Sequence, residues 1–478
     1  MRPFLSIVTA GAMLVSCSDS DSPDTPKVRH AVSLNVTGMG TGQVTSSPAG
    51  IGPCAKAAGT CTAEFEQGSK VTLTAAPDAG YFFAGWAGGG CAGVAACVLD
   101  LKAATQVRAT FIPVVFNSRK PVAPLTPSAP NIWTARWDLP AEARPLSRHA
   151  AGFTFGGSWS PDGERVAYVA TVNPADPNAA AGYKIRVAGA GVEPTVVTRL
   201  AEPKSYEPYW TPDGRVVFRS SAGLDGTDTS ESVENLWVAN EDGSDHMPIT
   251  RFASGVGVDR FYSVNAEFAF FSSIRGLGED ATLNQVPGNI WRVALTTGEQ
   301  FPLTRSSIAR SSVPEVSPDG QRVAFVSQML PNGAPTSSEN LWVVNVDGTN
   351  ARRLTTFAAN AMNDDWRPRW TPDGSRVLIT LTVDPANFDV QSAVSNVFSV
   401  DVASGAVTPL TRLAKARSGY PWVAPDGSRV VFDSSRALDG SDAAGNTHNV
   451  WSMKLDGSDP RPVTQNDDAS SYSVDDYD

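Results

Sequence analysis

Short apolar runs alternate with polar turns at a nearly constant interval along most of this chain. The runs Val166-Ala167-Tyr168-Val169, Val216-Val217-Phe218, Val323-Ala324-Phe325-Val326, Val377-Leu378-Ile379 and Val430-Val431-Phe432 each follow a Ser/Thr/Ala-Pro-Asp-Gly turn, at 160–163, 211–214, 317–320, 371–374 and 424–427. Proline presets φ for the first turn position, aspartate tolerates the next, and glycine supplies the positive φ that returns the chain to a strand. The pattern predicts tight hairpins and antiparallel neighbours. A second strand type recurs as Asn131-Ile132-Trp133, Asn235-Leu236-Trp237, Asn289-Ile290-Trp291, Asn340-Leu341-Trp342, Asn396-Val397-Phe398 and Asn449-Val450-Trp451. A closing strand ends in an aliphatic residue and threonine, as at Ile249-Thr250, Leu303-Thr304, Leu354-Thr355, Leu410-Thr411 and Val463-Thr464. Each unit therefore holds four short strands.

From Asn235 to Asn289 is 54 residues, from Asn289 to Asn340 is 51, and from Asn396 to Asn449 is 53. A period of about fifty filled with strands predicts an all-β chain built as a β-propeller. Complete units begin near Phe153, Tyr206, Phe261, Ser312, Asp365 and Tyr420. Before them, Val114-Val115-Phe116-Asn117-Ser118, Asn131-Ile132-Trp133 and Arg144-Pro145-Leu146-Ser147 repeat the order of Val430-Val431-Phe432-Asp433-Ser434, Asn449-Val450-Trp451 and Arg461-Pro462-Val463-Thr464. That N-terminal unit lacks only its first strand, and the tail Ser471-Tyr472-Ser473-Val474-Asp475 stands where one belongs. The expectation is a seven-bladed ring in which the C-terminal strand closes the N-terminal blade, removing exposed edges. The alternative is six blades with an added hairpin. One unit departs: residues 261–267 lack the Pro-Asp-Gly turn, yet Phe268-Ala269-Phe270-Phe271 keeps the strand.

The Pro-Asp-Gly turn, the Val-Ala-Phe-Val strand, the Asn-Leu-Trp strand and the Leu-Thr end together resemble the TolB-type, WD-like propeller repeat of bacterial proteins, over residues 113–478. The resemblance implies a fold and leaves function open, because propellers host many unrelated activities. Residues 30–112 read as a separate small module. Ser33-Leu34-Asn35-Val36, Lys70-Val71-Thr72-Leu73-Thr74 and Val107-Arg108-Ala109-Thr110-Phe111 alternate as strands do. Gly42 to Pro48, Ala76 to Trp86 and the closing Ala109-Thr110-Phe111 resemble the divergent internalin-B-type repeat of bacterial surface proteins. Trp86 is expected in the core of this sheet, and the module is expected to act as a stalk or adhesive spacer.

The first residues set the compartment. Arg2 precedes an apolar stretch from Phe4 to Val15, too short for a permanent membrane helix. Leu14-Val15-Ser16-Cys17 resembles the bacterial lipobox. That resemblance implies a signal peptide at 1–16, a lipid on the Cys17 sulfur, and an outer-membrane address in Ser18. Residues 17–29 then form a flexible polar tether. Of 5 cysteines, Cys17 apart, Cys54, Cys61, Cys91 and Cys97 remain. An even number in an exported module implies two disulfides with three possible connectivities, of which Cys54–Cys61 and Cys91–Cys97 are the simplest. A Cys-Xaa-Xaa-Cys knuckle is absent, which argues against zinc.

A formal net charge of −11 gives no basic footprint for nucleic acid. The sequence has no Gly-Xaa-Ser-Xaa-Gly elbow, no His-Glu-Xaa-Xaa-His, no phosphate loop, and no room after residue 478 for a hydrolase domain. The histidines, His30, His149, His246 and His448, are expected to be structural or exposed. The chain is therefore expected to be a monomer and not an enzyme, without metal or other cofactor. Calcium has weak support, because the spaced acids at 222–228 and 434–442 offer too few ligands.

What remains is a recognition face. The Pro-Asp-Gly and Asp-Gly turns fall at one end of the ring and are short. The opposite end carries the longer connections at 220–234, 272–288, 328–339, 382–395 and 434–448. Length variation over a constant frame marks a recognition surface. Glu207, Arg260, Asp364, Asp365, Trp366 and Arg367 stand at strand entries on that end. The expected partner is an envelope protein or peptide, the alternative is an acidic glycan, bound or cleaved, and the membrane is reached only through the lipid.

Overall fold

The computed structural model describes residues 27–122, 129–149, 152–171, 183–198, 204–225, 230–252, 257–274, 288–357, 367–465 and 470–473. Cys17, Asp364, Asp365 and Trp366 lie outside the described residues. The first module is two sheets. One runs in the order Thr60–Glu66, Arg29–Thr37, Thr105–Ile112, Phe82–Gly88 and Cys91–Gly93; the other is Gly42–Ser47, Lys70–Pro77 and Cys97–Asp100. Arg29–Thr37 alternates exposed and buried positions, and its Val32, Leu34 and Val36 join Phe65, Val71, Leu73, Trp86, Val107 and Phe111 in one core. Trp86 is buried there, its indole N–H donating to the Ala95 carbonyl at 2.8 Å. Disulfides join Cys54 to Cys61 and Cys91 to Cys97, the simplest of the three connectivities.

Seven four-stranded antiparallel sheets follow among the described residues, the second being Thr154–Trp159, Arg165–Ala170, Lys184–Gly189 and Val192–Val196. The first is assembled from both ends of the chain. Its order is Leu139–Pro145, Asn131–Arg136, Val114–Ser118 and Ser471–Ser473, with Tyr472 opposite Asn117. Both faces of each sheet are covered, so second strands such as Arg165–Ala170 read as unbroken apolar runs rather than alternating ones. One apolar layer lies between each pair of neighbours. Phe218 and Trp237 of the third sheet meet Ala167 and Ile185 of the second, and Phe325 of the fifth meets Phe270 of the fourth. Val431 and Val450 of the seventh meet Phe116 and Trp133 of the first. Complete burial of one such phenylalanine contributes roughly 1.5–3 kcal/mol.

The recurring polar residues are hydrogen-bonding devices. In the second sheet the Ser160 hydroxyl donates to Asp162 at 2.5 Å and accepts the Arg165 N–H at 3.0 Å, while Asp162 also accepts the Glu164 N–H at 3.1 Å. The same set closes the turns at 317–320 and 371–374. Where Pro-Asp-Gly is missing, the Asn265 side chain accepts the N–H groups of Glu267 and Phe268, and the Asn265 N–H donates to the Phe268 carbonyl at 3.0 Å. The Asn of the third strand and the Thr after the fourth form a buried clasp. Asn235 accepts from the Thr250 hydroxyl at 2.8 Å and the Phe252 N–H at 2.8 Å, and Thr250 accepts the Leu236 N–H at 2.9 Å. The clasp repeats at Asn289–Thr304, Asn340–Thr355, Asn396–Thr411 and Asn449–Thr464, and with serine at Asn131–Ser147.

The first module is docked, not strung on a linker. Thr105–Ile112 passes into Val114–Ser118 across Pro113 alone. The first sheet lacks a turn between its innermost pair, because those strands come from opposite chain ends. The module stands at that gap and grips the turns on either side. Lys56 pairs with Glu164 at 2.6 Å, Gly38 donates to Glu164 at 2.8 Å, and Met39 donates to the Gly163 carbonyl at 2.9 Å. Gly163 has φ +67, and a Cβ there would lie 2.6 Å from Thr110. On the other side, Phe83 donates its N–H to Asp426 at 3.1 Å, and Phe82 is fully buried 5.8 Å from the Trp422 ring. A stalk role would leave such a surface bare; here it is buried against the propeller.

Candidate binding face

In an antiparallel four-stranded sheet, the first and third turns share one end and the middle turn lies at the other. The short turns therefore form one end of the assembly, where the described contacts of the module also fall. The opposite end holds the middle hairpins. Several run past the sheet body: Arg376–Asp384 continues into Asn387–Asp401, and Arg322–Met329 into Pro335–Asn345. At 436–444 the hairpin is tied down, because Asp442 accepts the N–H groups of Ala414, Lys415 and Ala416 at 2.7, 3.2 and 3.0 Å. Those bonds outweigh its partial burial and hold its pKa below the ordinary aspartate value.

Two of the expected site residues are inter-sheet bridges. Glu207 is buried, pairs with Arg219 at 3.1 Å, and accepts the Phe261 N–H of the next sheet at 2.8 Å. Arg219 also pairs with Glu234. Burial opposes the Arg219 charge, but Glu207 and Glu234 outweigh it and raise its pKa; burial likewise lifts the Glu234 carboxyl. Arg367 is buried with its guanidinium 5.1 Å from the rings of both Tyr209 and Tyr262, and donates to the Tyr262 carbonyl. Beside it Arg369 pairs with Glu315 at 3.1 Å. Arg260 is exposed at the start of its strand. Glu207 of the third sheet and Arg367 at the entry of the sixth thus both reach the first strand of the fourth, at Phe261 and Tyr262.

A different group stands on this end, with Phe155 and Tyr183 resting against the apolar layer between the second and third sheets. Phe155, Tyr183 and Tyr206 are half-buried in a row, with ring centroids 5.6 and 4.9 Å apart. The exposed Lys204 lies 6.0 Å from the Tyr183 ring, and Arg219 lies 5.0 Å from that of Tyr206. Burial, then Glu234, pushes the Tyr206 hydroxyl up to about 12, so it stays a neutral donor. Phe153, next to the row in sequence, is 58% exposed. This aromatic row comes from entry positions of different strands, so no contiguous motif announces it. The histidines nearby are committed elsewhere. His149 lies 3.0 Å from the Tyr168 hydroxyl, and burial, then Arg186, lowers its pKa to about 4. His448 packs 5.5 Å from the Tyr472 ring, and burial lowers its pKa too.

Residues 32–114 match the divergent InlB B-repeat domain family. The uncharacterized peptidase YuxL of Bacillus subtilis is 28% identical over 193 residues, covering 34% of this chain and 27% of that protein. The chain spans less than half the length of the curated relatives it matches. A solved prolyl endopeptidase is similar in fold, with a TM-score of 0.50 and 12% identity over 72% of this chain and 46% of that one. TolB from Acinetobacter baumannii gives a TM-score of 0.40 and 19% identity over 65% of this chain and 67% of that one. The family match agrees with the internalin-B-type repeat read in the sequence, and the likeness to the endopeptidase is one of fold alone. Among the described residues, no helix is long and apolar enough to cross a membrane.

Proposed function

We propose that this chain is a non-catalytic binding protein of the cell envelope, anchored by a lipid on Cys17, that engages a protein or peptide through the long-loop end of a closed seven-bladed propeller. The observation that carries the reading is the division of labour between the two ends. The module occupies the short-turn end, while the long-loop end presents the row Phe155, Tyr183 and Tyr206 at the second and third sheets and long hairpins on the fifth and sixth. Aromatic rings with a polar tip supply contact area at low conformational cost and are enriched at protein interfaces. Seven closed blades are supported by the pairing of Ser471–Ser473 with Val114–Ser118 and by the apolar layer joining the seventh sheet to the first.

A second reading keeps one observation in its favour. Half-exposed tyrosines in a row also suit the faces of sugar rings, so the alternative remains a carbohydrate-active protein that binds or cleaves acidic glycans at this end. The test is capture from envelope extract with lipid-free protein on a resin, competed by soluble protein. The leading reading expects a saturable protein or peptide partner, lost with Tyr183→Ala plus Tyr206→Ala. A partner retained by that variant sinks it, and elution by acidic oligosaccharide favours the second reading. Turnover of a glycan or peptide would end the non-catalytic assignment. For the anchor, Cys17→Ser should abolish metabolic acyl labelling; unchanged labelling places the lipid elsewhere.

A further inference from the structure

One hairpin tip at the long-loop end is tied to a neighbouring connection through a single carboxylate. Residues 437–443 join Val430–Arg436 to Ala444–Met453 in the seventh sheet. The tip shapes itself. Ala437 donates to the Ala443 carbonyl and Gly440 to that of Ala437, each at 2.9 Å, and Ser441 donates to Asp439 at 2.8 Å. Leu438 packs against the apolar layer between the sixth and seventh sheets. Asp442 instead crosses to the connection that arrives from the sixth sheet, where its Oδ1 takes the N–H groups of Lys415 and Ala416 and its Oδ2 that of Ala414. Successive N–H groups turned to one point form an anion-binding concavity.

Another connection shows that the loop itself does not require a carboxylate. Residues 304–311, between the fourth and fifth sheets, follow the plan of residues 411–418: Thr304, Arg305, Ala309, Arg310 and Ser311 match Thr411, Arg412, Ala416, Arg417 and Ser418. There the Ser306 hydroxyl accepts the N–H groups of Ile308 and Ala309 at 3.3 and 2.8 Å, from within the loop. Leu413 stands at the serine's place and has no side-chain acceptor, so the same two donors, now Lys415 and Ala416, are met from outside.

The charges around the contact favour a negative occupant. Arg412, Lys415 and Arg417 are exposed, and among the described residues none of the three forms an ion pair. On the two segments that meet, 412–417 and 436–444, these three and Arg436 stand against Asp439 and Asp442. Positive charge is left over with Asp442 in place, so a more acidic segment gains more from the same donors. The occupant seen is an aspartate on a turn, which sets the ligand class as a side-chain carboxylate carried on a loop. We propose that residues 412–417 are a recognition site for an aspartate-rich peptide segment, and that Asp442 fills the site until such a segment displaces the tip. The inference rests on the long-loop reading of function and names the chemistry of the partner. A ligand binds only molecules whose tip is open, so the closed tip lowers apparent affinity by the open fraction.

The probe is a fluorescein-labelled, end-blocked peptide with the sequence of residues 437–443, read by anisotropy against the full lipid-free chain. A control peptide carries asparagine for both aspartates. Asp442→Ala should bind the first peptide roughly tenfold or more tightly than the unaltered chain, less so as salt rises, and should ignore the control. Amide exchange at 414–416 should quicken in that variant and slow again with peptide. Lys415→Glu added to Asp442→Ala should remove binding. Thermal melts check the fold, and Asp442→Asn repeats the test where Asp442→Ala unfolds the protein. Equal binding by the unaltered chain and the variant, equal binding of both peptides, or inorganic phosphate held as tightly as the peptide would each overturn the proposal. Lost peptide binding in a chain that still captures its envelope partner refutes this site alone. Peptide binding in a chain that captures no partner upholds the site and refutes the long-loop reading.

Discussion

The two ends of the propeller are made by the same strands and obey different rules. At the short-turn end, the polar side chains of the Pro-Asp-Gly turns serve the backbone. Ser160, Asp162, Ser317, Asp319, Thr371 and Asp373 saturate the N–H groups of their own turns. Uniform, closed turns form a surface regular enough for a folded module to dock on, and Gly163 and Glu164 are where it does. At the long-loop end, charged groups at strand entries reach between sheets, as Glu207 does to Phe261 and Arg367 to Tyr262. The difference teaches that constancy at one end frees variation at the other.

The comparison breaks most severely if the closing sheet is opened. Deleting residues 470–478 removes the strand paired with Val114–Ser118 beside the module's dock. The expected result is loss of the cooperative unfolding transition and aggregation; an unchanged melt supports six blades and a dispensable hairpin. Next is the dock itself. Phe82 is fully buried among Ile112, Val114, Phe116 and Trp422, so Phe82→Ala should cost about 3–5 kcal/mol in denaturant unfolding. If the module were an independent stalk, the propeller transition would stay where it was.

The clasp ranks third. Asn235 is buried and serves Thr250 and Phe252, so Asn235→Ala should cost about 1–3 kcal/mol through the groups left unpaired. A variant of wild-type stability would show that the repeated asparagine does something other than hold strands. The smallest effect concerns pH. Burial depresses the His149 pKa to about 4, below an unfolded value near 6.5, so the folded state favours neutral imidazole. Its contribution is complete above pH of about 6.5 and is lost as pH falls toward 4. His149→Gln should flatten that limb of the stability profile; an identical slope refutes the assignment.

The fold was legible where the chemistry is local. A Pro-Asp-Gly turn, an apolar run and an Asn-Xaa-Trp strand are each contiguous, so the sheets, the module strands and the pairing of the tail with Val114–Ser118 could be read directly. The clasp had a signal that went unused: asparagine and threonine stand 15 residues apart in five successive units. The docking had none, since Lys56 and Glu164 are 108 positions apart and meet only through the docked fold. The site reading suffered for the same reason. Strand-entry position suggested Glu207 and Arg367, but position does not reveal burial. Glu164, on a short turn, holds the module through Lys56 and Gly38.

The central claim is that binding belongs to the long-loop end. Its most direct measurement compares capture of the same envelope partner by two variants of equal thermal stability: Tyr183→Ala with Tyr206→Ala at that end, and Arg215→Glu at the short-turn end, where Arg215 pairs with Asp213 of its own turn. The account predicts capture lost in the first and unchanged in the second. Capture retained by the tyrosine variant and lost with Arg215→Glu would contradict it.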